Sequence, residues 1–237
     1  MNTLKRQMGC AVVLIAGLLA CGIASAGTVV MTFDQLNPNG EYVGNYYNGG
    51  CGDSLNGGSV TCGGPSYGIT WTHAIAGNAP GGIFSNASGE PSSPGVIGGF
   101  DDNTGSFMNV AAGFDTGFSF YYAAANTPGS ISVYSGLNGT GTLLTSLALP
   151  VNGANCNGAS EDYSCWSPIG VSFTGTAESV NFGGSAFYIA FDNVTLGAST
   201  PGNPGTPVPE PAALGMFGFG ALLIGLFAGM RRRTQQI

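Results

Sequence analysis

Short runs of alternating apolar and polar side chains dominate the sequence between residues 27 and 197. A period of two is the pattern of a β-strand that buries one face. Turn signals such as Pro128-Gly129, Leu137-Asn138-Gly139 and Gly183-Gly184 separate the runs. No helical pattern lies between them. The sequence therefore predicts roughly eight to ten strands in an all-β fold, an antiparallel β-sandwich of the jelly-roll type.

Two of these runs show their inward face clearly. Along residues 68–76, Ile69, Trp71, His73 and Ile75 alternate with small or polar residues, which predicts a single strand. The aromatic residues of 114–122 alternate in the same way and predict a second strand, in which Gly117 marks a bend. The prediction for His73 is a packed or edge-facing side chain.

Charge is distributed unevenly along the chain. All five basic residues lie at the two ends, and all twelve carboxylates lie between Asp34 and Glu210. Nucleic-acid binding is excluded, because a phosphate backbone needs Lys or Arg to neutralise it. A buried carboxylate in this stretch must be hydrogen-bonded, protonated or bound to a cation, because no basic partner exists.

Residues 1–26 have the features of a signal peptide. Lys5 and Arg6 precede an apolar run, and Ala24-Ser25-Ala26 forms a small-residue cleavage site for signal peptidase. The alternative is a lipoprotein box ending at Cys21, whose thiol would be acylated. Either reading places residues 27–197, the predicted ectodomain, outside the cytoplasm.

The C-terminal end has three parts. Residues 198–211 form a proline-rich linker, which cannot continue a helix or a sheet. Residues 212–230 carry no charge and would span about 28 Å as a transmembrane helix. Arg231, Arg232 and Arg233 then predict a cytoplasmic tail over 231–237 by the positive-inside rule.

The triplet Pro209-Glu210-Pro211, followed by the apolar span and the arginine cluster, resembles the PEP-CTERM sorting signal. This resemblance implies processing by an exosortase, a membrane-embedded cysteine protease of Gram-negative bacteria that make exopolysaccharide. It implies an intermediate anchored in the inner membrane and a final location at the cell surface or in the extracellular matrix.

The second half of the ectodomain resembles the ectodomains often found on PEP-CTERM proteins. The segments that carry this resemblance are residues 117–122, 133–141, 173–177 and 189–194. It implies a sandwich similar to lectins and carbohydrate-binding modules. Sugar binding would use aromatic faces with amide and carboxylate partners, and the candidate aromatic residues are Tyr42, Tyr46, Tyr47, Tyr67, Trp71 and Trp166.

Four cysteines remain after the signal peptide. In an oxidising compartment, the local pairs Cys51 with Cys62 and Cys156 with Cys165 are favoured among three connectivities. Zinc binding is disfavoured, because the spacings are wide and an exported chain favours disulfides.

Calcium is the cofactor that the composition favours, because carboxylates are plentiful and no ammonium group competes for them. Asp34 follows the first strand and Asp192 lies in the last, and these strands are commonly neighbours in a jelly roll. In carbohydrate-binding modules that resemble this fold, a structural calcium often lies there, which makes Asp34, Asp192 and Asn193 the candidate ligands. The segment 101–105 resembles the start of an EF-hand loop, but Ala112 stands at its twelfth position, so a solvated turn is predicted.

Catalytic motifs are weak. Asp115-Thr116-Gly117 matches the aspartic-protease triplet, but those enzymes need two facing copies and the chain has one. His73 is the only histidine. The leading interpretation is therefore a non-catalytic protein that is sorted to the surface or matrix and binds exopolysaccharide. The alternative is a secreted glycoside hydrolase on the same anchor, whose carboxylate pair the sequence does not identify.

Overall fold

The computed structural model describes residues 28–78, 83–84, 86–92, 94–98, 106–153, 163–185 and 188–202. The predicted signal peptide, the segment 101–105, Cys156, and the sorting triplet with the span and arginines behind it lie outside the described residues. Antiparallel strands dominate the described part, which confirms the all-β prediction. The strands are β1 Val29–Met31, β2 Glu41–Tyr42, β3 Ile69–Trp71, β4 Ile75–Asn78, β5 Gly95–Gly98, β6 Phe107–Phe114, β7 Phe118–Ala123, β8 Gly129–Tyr134, β9 Leu143–Leu149, β10 Ser167–Val171, β11 Ala177–Asn181 and β12 Ala190–Leu196.

The strands form two sheets. A seven-stranded sheet has the order β10-β7-β12-β5-β4-β2, and β1 pairs with β12 beside β5. A five-stranded sheet has the order β3-β6-β11-β8-β9. One hydrophobic cluster contains inward side chains of both sheets, so the sheets pack face to face.

Aromatic side chains fill the centre of this core. Phe182 is fully buried, and its ring lies 5.3 Å from Trp71 and 5.2 Å from Phe191, between centroids. Phe118 and Phe120 approach the same ring at 6.1 Å and 6.4 Å. Phe182 thus connects residues from both sheets at distances typical of favourable edge-to-face and tilted aromatic pairs.

The two long alternating runs are each divided between the sheets, so the prediction of single strands over 68–76 and 114–122 was wrong. The chain leaves β3 in one sheet, turns at His73 and enters β4 in the other. His73 has a positive φ of 58°, which breaks the strand. Gly117 likewise lies in the turn between β6 and β7, where its amide bonds to the carbonyl of Asp115 at 2.8 Å. The core-facing alternation continues through Gly117, because Phe114 and Phe118 both lie in the core. At His73 it shifts by one residue: Trp71, Ala74 and Ala76 lie in the core, whereas Ile75 is only partly buried and lies outside it.

The disulfide between Cys51 and Cys62 confirms one predicted pair. Cys165 is also disulfide-bonded, and its partner lies outside the described residues. Among the described residues, no helix is long and apolar enough to cross a membrane.

The chain folds back after β12. The amide of Gly197 bonds to the carbonyl of Gly117 at 3.0 Å, and the Ser119 hydroxyl donates to the carbonyl of Ala198 at 2.9 Å. Gly202 then donates to Thr195 Oγ1 at 3.0 Å. This return segment, residues 197–202, contacts Asn193 and Thr195 of β12, a strand in which every residue is buried.

Candidate functional site

The most unusual polar group in the domain is the carboxyl of Asp192. It lies in β12, a central strand, and its side chain is fully buried. The amide of Ser92 donates to Oδ2 at 2.7 Å, and the Ser92 hydroxyl lies 2.9 Å from Oδ1. The amide of Asn193 donates to Oδ1 at 2.6 Å. Both carboxyl oxygens therefore have donors, but no basic residue neutralises their charge.

Burial raises the pKa of Asp192 to about 8, because the ionised form loses its hydration inside the sheet. The hydrogen bonds from Ser92 and Asn193 act in the opposite direction and lower this pKa. The nearby charge of Asp34 raises it further. A cation bound next to this carboxyl would favour the ionised form and lower its pKa again.

Asp34 follows β1, which pairs with β12 on the side opposite β7. β1 pairs with β12 from Val29–Leu196 to Met31–Val194, so the two strands are neighbours as predicted. Asp34 accepts a hydrogen bond from the amide of Gly95 at 2.9 Å. A β-carbon on Gly95 would lie 2.3 Å from the Phe33 carbonyl carbon, so only glycine permits this approach.

Asn193 lies in an irregularity of β12. Pairing with β7 shifts register between Asp192 and Thr195, which leaves Asn193 and Val194 opposite one residue of β7. Asn193 has a φ of 48°, and its Nδ2 donates to the carbonyl of Gly202 at 3.0 Å. Its Oδ1 is buried and accepts no hydrogen bond from the residues that the structure describes.

These three residues fit the donor chemistry of a hard cation. They supply a buried carboxylate, a second carboxylate close enough to affect its pKa, and an unused amide oxygen next to it in the chain. Within the described ranges, no cluster of three or more His, Cys, Asp or Glu residues is found. Any cation here would depend on amide and backbone oxygens as well as carboxylates.

A second feature is an aromatic cavity of about 300 Å³ on the seven-stranded sheet. Its floor comes from β4, β5 and the start of β12, and its walls come from loops that precede β5 and β10. The lining residues are Ile75, Ile83, Phe84, Asn86, Ala87, Gly98, Tyr163, Ile189 and Ala190. Gly98 lets the Phe84 ring lie on the sheet, because a β-carbon there would approach that ring to 3.1 Å.

Backbone hydrogen bonds hold the two walls together. Ser88 donates to the carbonyl of Tyr163 at 3.2 Å, and Tyr163 donates to the carbonyl of Asn86 at 3.0 Å. Trp166 Nε1 donates to the carbonyl of Ser88 at 3.0 Å. Burial raises the pKa of the Tyr163 phenol, and the neighbouring Tyr188 raises it further. Tyr188 is 54% exposed, so an aromatic ring beside the cavity faces solvent.

The aromatic residues singled out from the sequence lie elsewhere. Tyr46, Tyr47 and Trp71 are buried in the core and are therefore unable to stack on a ligand. Tyr67 is 43% exposed, but its ring stacks on that of Tyr47 at 6.2 Å. Trp166 packs behind the cavity wall. No sequence signal marks Phe84, Tyr163 and Tyr188, because they belong to separate loops.

The histidine turn borders a smaller cavity of about 250 Å³, lined by Tyr42, Asp53, Trp71, Thr72 and His73. Trp71 Nε1 is buried and has no hydrogen-bond partner within the described part of the chain. Among the described residues, Asp53 is the one carboxylate that lines this cavity, and none lines the aromatic cavity. A glycoside hydrolase of the usual kind needs two facing carboxyl groups.

Comparison with known families identifies the C-terminal end. Residues 207–233 match the family model of the PEP-CTERM protein-sorting motif. The chain carries a PEP-CTERM sorting motif. The match includes Pro209, Glu210, Pro211 and the arginines at 231–233, as the sequence predicted.

The ectodomain of this PEP-CTERM protein shows remote similarity to several solved structures. A comparison with curated proteins finds no significant match. The cleaved adhesin domain K1 of Lys-gingipain from Porphyromonas gingivalis W83 is 16% identical with a TM-score of 0.38, and the similarity covers 73% of this chain and 99% of that one. A carbohydrate-binding module of Cellvibrio mixtus lichenase 5A, solved with cellotriose, is 12% identical with a TM-score of 0.32, over 46% of this chain and 81% of that one.

A family 6 carbohydrate-binding module of a laminarinase from Zobellia galactanivorans is 18% identical with a TM-score of 0.29. It covers 53% of the PEP-CTERM chain and 99% of its own. At these identities and scores, the similarities do not indicate a ligand of this chain.

Proposed function

We propose that this chain is an exported, non-catalytic protein that an exosortase processes and whose ectodomain binds polysaccharide. The sorting motif at residues 207–233 is the observation that supports export and processing. The aromatic cavity, with an exposed tyrosine beside it and no carboxylate in its described lining, supports binding rather than hydrolysis.

Export would proceed in stages. Signal peptidase removes residues 1–26, and residues 212–230 span the inner membrane as a helix with Arg231, Arg232 and Arg233 inside. The exosortase then acts at Pro209-Glu210-Pro211. The ectodomain, which we take to be a jelly roll, finally reaches the cell surface or the extracellular matrix.

The lining of the aromatic cavity and the charge of the ectodomain favour a neutral sugar as the bound unit. Pyranose rings present C–H groups on one face, which pack against aromatic rings such as those of Phe84, Tyr163 and Tyr188. The volume of about 300 Å³ lies at the lower end of the range for small-ligand pockets. Lys and Arg are absent between Gly27 and Pro211, so an anionic polymer would find no partner for its charges. We therefore expect a neutral polysaccharide or a neutral stretch of one.

Replacing Tyr188 with Ala should weaken polysaccharide binding about tenfold, which corresponds to about 1.4 kcal/mol, because tyrosine is enriched among the few contact residues whose loss costs more than 1 kcal/mol. The measurement is a glycan and polysaccharide screen on residues 27–202, followed by titration of the best ligand. Tyr67→Ala is the matched control, since Tyr67 is exposed to a similar degree but stacks on Tyr47 away from the cavity.

Equal losses in Tyr188→Ala and Tyr67→Ala would contradict the assignment of the cavity, and absence of binding to any glycan would contradict the proposed function. Release of reducing sugar from a bound polysaccharide would favour the hydrolase alternative instead.

We also propose that Asp192, Asp34 and Asn193 bind a structural calcium ion. The support is the buried carboxyl with a raised pKa and the buried amide oxygen without a partner. Asp192 and Asp34 would supply charge, and Asn193 Oδ1 would supply a neutral ligand. The ion would stabilise the junction of β1, β5 and β12 rather than take part in any reaction.

A further inference from the structure

Among the described residues, the two sheet paths end in β10, β2, β3 and β9, and β1 is a further edge strand of only three residues. Three of the four path ends are closed, each by a different device. β2 has two residues, and Tyr42 exchanges backbone hydrogen bonds with Asp53 at 2.9 Å and 2.8 Å. β3 is covered by the preceding loop, which accepts a bond from the amide of Trp71 at Gly44, 2.9 Å away. β10 contains Pro168, which interrupts its row of amide donors.

β9 has none of these protections. It has seven residues, Leu-Leu-Thr-Ser-Leu-Ala-Leu, with no charge, proline or glycine. Among the described residues β8 is its one strand partner, and no backbone group of Leu143–Leu149 bonds there to anything outside the β8–β9 pair. Leu143 is 52% exposed at one end of the strand. Such an edge is a template for pairing with another strand.

The charge pattern makes this edge different from the rest of the ectodomain. The chain has no Asp, Glu, Lys or Arg between residues 116 and 160, although the other parts of the ectodomain carry carboxylates throughout. Two acidic ectodomains repel each other on most approaches. An approach that joins the two β9 strands brings together hairpins without charge, which avoids that repulsion.

We propose that β9 pairs antiparallel with β9 of a second copy of this chain, which joins two five-stranded sheets across a two-fold axis. A two-fold axis lets one strand pair with itself, so the same residues serve both copies. Two edge strands bury less than the roughly 1,600 Å² of a standard interface. A contact of this size is weak in dilute solution. It therefore forms where sorting concentrates the chain on a surface, and it links neighbouring copies there.

Side-chain direction defines the test. Leu147 packs on the core, so Ser146 and Ala148 belong to the outer face of β9, where both are exposed. Ser132 and Ser130 of β8 are their register partners on the same face. Across a β9–β9 pair, facing Cα atoms lie about 5 Å apart, within disulfide range. The β8 strands of the two copies are separated by three strand spacings, about 14 Å, which no disulfide bridges.

The experiment uses the full chain, exported in a host with an exosortase. Ser146→Cys and Ala148→Cys together should give a disulfide-linked dimer on non-reducing gels, because this pair covers axes centred on residues 146, 147 and 148. Ser130→Cys with Ser132→Cys is the matched control and should give at least tenfold less dimer. Adding Leu143→Lys to the β9 cysteines should lower their dimer yield at least fivefold, because a lysine protects an edge.

Equal dimer yields from the β9 and β8 cysteine pairs would overturn the proposal, because they would reflect proximity on the surface without strand pairing. No dimer from the β9 pair, with its thiols open to alkylation, would overturn it as well. Neither result depends on polysaccharide binding.

Discussion

Without calcium, the ectodomain should become less stable as the pH rises from about 4 to about 8, and Asp192→Asn should abolish most of that dependence. The folded-state pKa of Asp192 is about 8, against an ordinary value of 3.8. Between these values the folded protein holds a proton that the unfolded chain releases. Linkage then requires that stability is fully present below the lower pKa and falls as the pH rises through the higher one. The total loss is on the order of 5 kcal/mol.

Calcium should offset part of this loss in the wild-type chain. A bound cation favours the ionised carboxylate, so stabilisation by calcium should grow with pH and reach about 2.7 kcal/mol when the free ion exceeds its dissociation constant a hundredfold. Urea unfolding of residues 27–202 at pH 5, 7 and 8.5, in EDTA and in calcium, measures both effects. Asp115→Asn is the control, because Asp115 is exposed in the turn before β7.

Two results would count against this account of Asp192. Stability in EDTA that rises between pH 4 and 8 would show that the carboxyl is not buried as described. A calcium response that Asp192→Asn leaves intact would place the ion elsewhere.

Replacing Glu210 with Ala should stop maturation almost completely, so that a membrane-bound precursor accumulates in place of the processed form. The reason is that the triplet is the part of the matched motif at which an exosortase would act, while the span behind it only holds the triplet at the membrane. Immunoblots of membrane and released fractions, in a host with an exosortase and in one without it, measure the ratio of precursor to product.

Pro204→Ala is the matched control for Glu210→Ala, because Pro204 lies in the same linker but outside the matched residues. The control should mature normally in the exosortase host, and both variants should accumulate precursor in the host without it. Normal maturation of Glu210→Ala would contradict the proposed processing step.

Features that depend on local pattern or on composition were predictable from the sequence. Alternation indicated the strands. The absence of Lys and Arg between Gly27 and Pro211 meant that buried carboxylates there must have other partners. Glu41 illustrates the second point: it is fully buried, and its two oxygens accept bonds from the amides of Asn37 and Thr61 at 2.6 Å and 2.8 Å. The first and last strands were expected to be neighbours, and they are.

Features that depend on long-range placement were not predictable. Ser92, which holds the Asp192 carboxyl, lies 100 residues before it in the chain, and nothing in its own sequence neighbourhood marks that role. The crossing between sheets at His73 was hidden because apolar residues alternate through it in the sequence, although the core-facing positions shift there from Trp71 to Ala74 and Ala76. The aromatic cavity joins Phe84, Tyr163 and Ile189 from three separate segments, whose approach depends on the small residue Gly98 and on backbone bonds between loops.

The return segment has a mechanical consequence for a protein held by a stalk. A β-carbon on Gly202 would collide with Val30 of β1, so the chain leaves the domain beside the strand that begins it. Tension on the stalk would first reach the contacts of Gly202 with Asn193 and Thr195, and then β12, which has strand partners on both sides. Load would therefore enter the middle of a sheet, where several rows of hydrogen bonds must shear together, instead of peeling a strand from its margin.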